Sequence, residues 1–208
     1  MKIFKDTGKM QQSAYFGWQD KNDALLGLRE GYKNSADDLV DIALENGNNN
    51  KTLDTYIFPI LFSYRHSIEL SIKHIYMRAK GSLPKGGHDL LILWNKVKRE
   101  VIDELINLDD LETQVEIYKK EMAGIPFSKI FNLLKELQES NQSDEEVNPS
   151  NKQIDQHAEV WRYLMTADCE LFFTCSHSID YVVLKEGFNF LYEVLDYIYE
   201  MTDKCLSS

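Results

Sequence analysis

The sequence predicts an all-α fold, a bundle of five to six helices with a small irregular or β-hairpin insertion near 155–178. Three observations lead there. Four long segments place apolar residues at helical spacing. The breaks between segments are short and carry glycine, proline or asparagine, as in GNNNK, GSLPKGG and GIP. Runs that read as extended chain are confined to VWRYLM and CELFFTC, at 160–165 and 169–175.

The first helix is expected over 22–46, where Leu25, Leu28, Tyr32, Leu39, Ile42 and Ala43 form one face. Asn22 or Asp20 could cap its start and Gly47 its end. Gly27 and Gly31 either weaken it or let a neighbour pack closely. The second helix covers about 54–80, with Pro59 either in its first turn or kinking it. After the loop 81–87, a third helix over 88–107 has a stripe of Leu90, Leu91, Trp94, Val97, Val101 and Leu105. Shorter helices are expected over 108–122 and 129–140, the latter starting near Ser128. The polar stretch 141–153 reads as a mobile loop. The last helix runs from about 180 to 204, with Leu184, Phe188, Leu191, Leu195 and Ile198 inward. Order and length favour one α-helical domain spanning 1–208.

Bulk composition narrows the function classes. The 208 residues include 43% hydrophobic ones, enough for a core without disulfide or metal. The net charge of −11 repels a phosphate backbone, which disfavours broad nucleic-acid binding but leaves room for a local basic pocket taking an RNA end or a nucleotide. No apolar run approaches membrane-spanning length, and MKIFKDTGKMQQ lacks the apolar core of a signal peptide. Cys169, Cys175 and Cys205 form no CxxC, so a cytoplasmic protein with reduced thiols and no membrane association is expected.

The chemistry-bearing stretch is SYRHSIELSIKH, 63–74. At about 100° per residue, Arg65, His66, Glu69, Lys73 and Tyr76 share one side of the second helix. His74 faces the opposite way and reads as a packed or surface histidine. The other directions are mostly apolar, so the polar stripe faces either water or a pocket. In the first case Arg65–Glu69 and Glu69–Lys73 are ordinary i,i+4 pairs worth a few tenths of a kcal/mol each. In the second they line a charged cleft.

YRHSIELSIKHIYMRAKG, a short loop and GHDLLILW together resemble the HEPN helical domains of prokaryotes. Glu69, Lys73, His88, Asp89 and Leu90 match the small-residue-x-Glu-x-x-x-Lys helix and the Gly-His-Asp-Leu start of the next one. The resemblance covers about 55–100 and implies a HEPN-like bundle. Many such domains are dimeric, metal-independent ribonucleases using an Arg-x4-6-His motif. Here the positions that would hold the histidine are Leu70, Ser71 and Ile72, and the motif is absent. Non-nuclease members bind partner proteins or serve toxin–antitoxin and phage-defence systems.

Other candidates are fewer. Asp89 can cap the third helix, and His88 could reach back to the stripe. Arg162 with Tyr163 could clamp an anion, or could pack its stem and pair with a carboxylate. No metal is expected: His66-x-x-Glu69 has no matching second motif, and Cys169, Cys175 and His177 lack ligand spacing. No phosphate-binding loop or nucleophile elbow occurs, and no cofactor is implied.

Two functions follow as expectations. One is a HEPN-like binding or regulatory module, acting as a homodimer or beside a partner protein. The other is a divergent ribonuclease, with His66 as general acid/base and Arg65, Glu69 and Lys73 around the phosphate. His88, Asp89, Arg162 and Tyr163 are the candidate binding residues in either case.

Overall fold

The computed structural model describes residues 8–108, 113–139, 157–173 and 176–207. The helices are α1 (Lys21–Glu45), α2 (Asn50–Lys80), α3 (Leu90–Val97), α4 (Asp103–Ile106), α5 (Thr113–Ala123), α6 (Phe127–Gln138), α7 (Val160–Tyr163) and α8 (Tyr181–Leu206). A 3₁₀ turn, Met10–Gln12, precedes them, and a π-turn, Lys98–Ile102, joins α3 to α4. The all-α expectation holds, and no strand is formed among the described residues.

Helix ends follow from local chemistry. Asp20 caps α1 by accepting from the amides of Asn22 and Asp23, and Asp180 caps α8 the same way. The C-terminal end of α1 departs from expectation. Gly47 is not its cap; Asn46 is, with its side-chain amide donating to the Ile42 carbonyl at 2.8 Å. α2 starts earlier than expected, on the Asn49 cap, so Pro59 lies well inside it rather than in the first turn. Pro59 and Thr55, whose carbonyl loses its amide partner, are both exposed. α2 ends at Gly81, whose φ of 69° is the left-handed cap, with its amide donating to the Met77 carbonyl.

Three long helices form the centre. Asn22 meets His74 and Asp37 meets Tyr64, so α1 runs antiparallel to α2. The pairs Leu53–Tyr181, Tyr64–Phe188, His74–Tyr199 and Arg78–Asp203 advance together, so α8 runs parallel to α2. The shared core includes Ala36, Val40, Ile60, Ile68, Ile72, Leu191, Leu195 and Ile198. α3 packs on α2 and α6, and α5 on α8. The π-turn advances the helix phase by one residue, which brings Val101, Ile102 and Leu105 into the core beside Val97.

The 155–178 insertion is closer to the irregular form than to a hairpin. α7 is a single turn, after which one antiparallel bridge, Met165–Leu171, closes a tight loop. The expected mobile loop at 141–153, residues 109–112 of the helix expected over 108–122, and Cys175 lie outside the described residues.

Candidate functional site: a buried ionic cluster on α2

The centre of the stripe on α2 is covered, while His66, Lys73 and Tyr76 are partly exposed. Arg65 is 2% exposed and Glu69 0%. α3 and the glycine loop before it cover this side of the helix. Gly86 sits against α3 so closely that a Cβ there would lie 3.0 Å from Ile92 Cγ2, so only glycine seats the loop this tightly. Asp89 then caps α3, accepting from the Ile92 amide at 2.8 Å, and Gln138 of α6 accepts from the Leu91 amide at 3.2 Å. These anchors place His88 over the middle of α2.

Glu69 is the hub. Its Oε1 accepts from Lys73 Nζ at 2.6 Å and lies 2.9 Å from His88 Nδ1. Its Oε2 faces Arg65 Nη1 at 3.4 Å, and Arg65 Nη2 donates to the His88 carbonyl at 3.0 Å. Burial pushes the Glu69 carboxyl upward, but the Lys73 ammonium and the His88 contact outweigh it and hold the group below its ordinary value. One carboxylate thus faces two cationic side chains and a histidine in a site that water barely enters. His88 forms the outer edge, its side chain 44% exposed.

The other sequence candidates divide. His66 is adjacent but not hydrogen-bonded into the hub. Its ring stands edge-on to Tyr32, centroids 4.6 Å apart, and stacks on Phe62 at 5.8 Å. Burial lowers its pKa, which Glu69 only partly opposes, so it is neutral at pH 7 and suited to accepting rather than delivering a proton. Tyr76 leaves the cluster and donates to Glu100 at 2.7 Å. Arg162 lies over the rings of Phe62 and Tyr163, at 5.8 and 5.3 Å, and both it and Tyr163 are exposed. Arg162 thus approaches the stripe through an aromatic ring.

Neither a family model nor a curated protein nor a solved structure matches this chain. The site is therefore read on its own geometry.

Sequence reasoning missed a second polar group on the opposite face of α2. Arg29, 2% exposed, pairs with Asp196 and lies over Tyr192 and Tyr199 at 5.5 and 5.2 Å. His74 stacks on Tyr199 at 4.0 Å, and its Nε2 meets Asn22 Oδ1 at 2.7 Å. The same oxygen accepts from the Tyr199 hydroxyl at 3.0 Å, so the Nε2 tautomer carries the proton. Burial, with Arg29 nearby, depresses the His74 pKa to about 4. The partners are separated by up to 177 residues, and no local pattern announces them. Among the described residues, no group of three or more potential ligands could hold a metal ion, and no helix is long and apolar enough to cross a membrane.

Proposed function

We infer that this chain is a HEPN-like binding or regulatory module, acting as a homodimer or beside a partner protein, in the toxin–antitoxin or phage-defence setting that its resemblance implies. The observation carrying this reading is the saturation of Glu69 by Arg65, Lys73 and His88. A catalytic cleft keeps such groups open to a substrate at hydrogen-bonding distance. Here they answer one another, and the outer surface instead offers apolar side chains at Leu171, Ile179 and Val183.

One observation favours the ribonuclease reading. The cluster has more cationic groups than carboxylates, and exposed His88 gives it an outer edge where a phosphate could approach. A ribonuclease assay in EDTA separates the two, using transfer and structured RNAs with wild type, His66→Ala and His88→Ala. The module reading expects no cleavage above buffer by any of the three. Cleavage by wild type that is lost in both folded variants would replace it with a divergent nuclease.

A further inference from the structure

The segment before α1 reads SAYFGW, residues 13–18. Tyr15, Phe16 and Trp18 are 61, 79 and 71% exposed. The hydrogen bonds of Ser13, Gly17 and Trp18 go to Lys9, Gln19 and Tyr15, all of them in the stretch before α1. Three large rings side by side in water make an unsatisfied apolar arm, since each can bury roughly 150–250 Å².

A cleft of ≈ 720 Å³ opens elsewhere on the molecule, between α6, α7 and the first half of α8. Leu133, Trp161, Val183 and Phe188 are among its walls, and Glu136, Glu139 and Asp180 bring negative charge to it. Its volume falls in the range of clefts that hold aromatic ligands, roughly 300–1,000 Å³.

Arm and cleft are complementary in charge as well as in apolarity. Residues 1–19 contain Lys2, Lys5 and Lys9 against Asp6 alone, in a chain whose net charge is −11. Within one molecule the arm stands off the cleft: Tyr15, Phe16 and Trp18 are exposed, and none of them is among its walls.

We propose that the occupant of this cleft is the aromatic arm of a second copy of the chain, exchanged reciprocally. Phe16 and Trp18 of each copy enter the other's cleft, and Lys9 faces the acidic rim of Glu136, Glu139 and Asp180. Exchange of two identical contacts closes a two-fold dimer and leaves neither arm exposed. Aromatic anchors in an apolar pocket with a charged rim are the usual source of affinity in such contacts. The inference deepens the binding-module reading by naming one partner.

Analytical ultracentrifugation over a dilution series tests it. The proteins are the full chain, Phe16→Ala/Trp18→Ala, and Val183→Lys. All three positions are exposed, so the variants keep the wild-type helical circular dichroism. Wild type is expected to dimerise, and each variant to raise the dissociation constant more than about tenfold. An equimolar mixture of the two variants keeps one intact arm facing one intact cleft. It is expected to associate more strongly than either variant alone. Trp18 fluorescence should shift to the red as wild type dissociates. A wild-type monomer throughout, a dimer indifferent to either variant, a dimer lost in only one of them, or a mixture no stronger than its components would each overturn the proposal. A monomer that cleaves no RNA would leave the module reading standing. RNA cleavage lost with His66 and His88 would remove that reading without touching the dimer.

Discussion

Glu69 shows how much one buried side chain decides. Its charge is matched by Arg65 and Lys73, and a buried pair is costly to break because the survivor is stranded. Glu69→Gln should therefore destabilise the protein by roughly 3 kcal/mol or more in urea unfolding, while His88→Ala at the exposed edge stays within about 1 kcal/mol. The pH dependence has a definite sign. The folded Glu69 pKa lies below the unfolded value of about 4.3, so its contribution is complete above that value and fades as pH falls through the folded one. His74 acts in a different window. Its folded pKa of about 4 lies below the unfolded value near 6.5, so between these the unfolded chain binds the extra proton and stability is lost as the pH is lowered. That loss amounts to about 3 kcal/mol across the window. Urea midpoints of wild type and His74→Gln from pH 7 to pH 4 should diverge in slope, the variant being flatter; parallel slopes would mean His74 is protonated in the fold.

At the scale of the element, α2 combines a strong N-cap, a glycine C-cap and an interior proline. Its stability comes from burial on nearly every side rather than from local preference. The proline works against that. Pro59 removes one backbone bond on an exposed face, and proline in a helix interior is less favourable than alanine by about 3 kcal/mol. Pro59→Ala is thus expected to raise the melting temperature, with circular dichroism as the readout. A lower melting temperature would show that the proline shapes the packing of the helix. The π-turn at Lys98–Ile102 is another local irregularity with a tertiary purpose, since the single extra residue brings Ile102 into the core beside Val101.

Across the whole molecule, the first and last long helices are joined through Arg29 and Asp196. The pair is asymmetric, the Arg29 side chain being 2% exposed and Asp196 37%. Arg29 Nε and Nη1 are buried without a protein hydrogen-bond partner. Removing the arginine leaves a carboxylate that water can reach; removing the aspartate leaves a buried cation. Asp196→Ala should cost about 3 kcal/mol, whereas Arg29→Met, which fills the same space, should come within about 1 kcal/mol of wild type or exceed it. Equal losses in the two denaturation curves would mean the pair contributes through its attraction rather than through the cost of stranding.

The sequence by itself determined the long helices and their order, because 3.6-residue periodicity and cap chemistry act over a few residues, but not the single turn of α7, which VWRYLM suggests as extended chain, nor the π-turn that divides the helix expected over 88–107. Asp20 and Asp89 are legible as caps for that reason, and the grouping of Arg65, Glu69 and Lys73 follows from helix geometry alone. Where local signals compete, the tertiary structure decides: Asn46 rather than Gly47 ends α1, and Pro59 is carried inside α2 because packing outweighs its cost. Whether the stripe met water or protein was not contained in its own spacing. It depended on Gly86 seating the glycine loop against Ile92 and on Gln138 holding the Leu91 amide of α3 from 47 residues further along the chain. The Arg29–Asp196 pair, the His74–Asn22–Tyr199 network and the cleft between α6, α7 and α8 belong to the same class. Each joins residues far apart in the chain, and only the closing of the bundle brings them within reach.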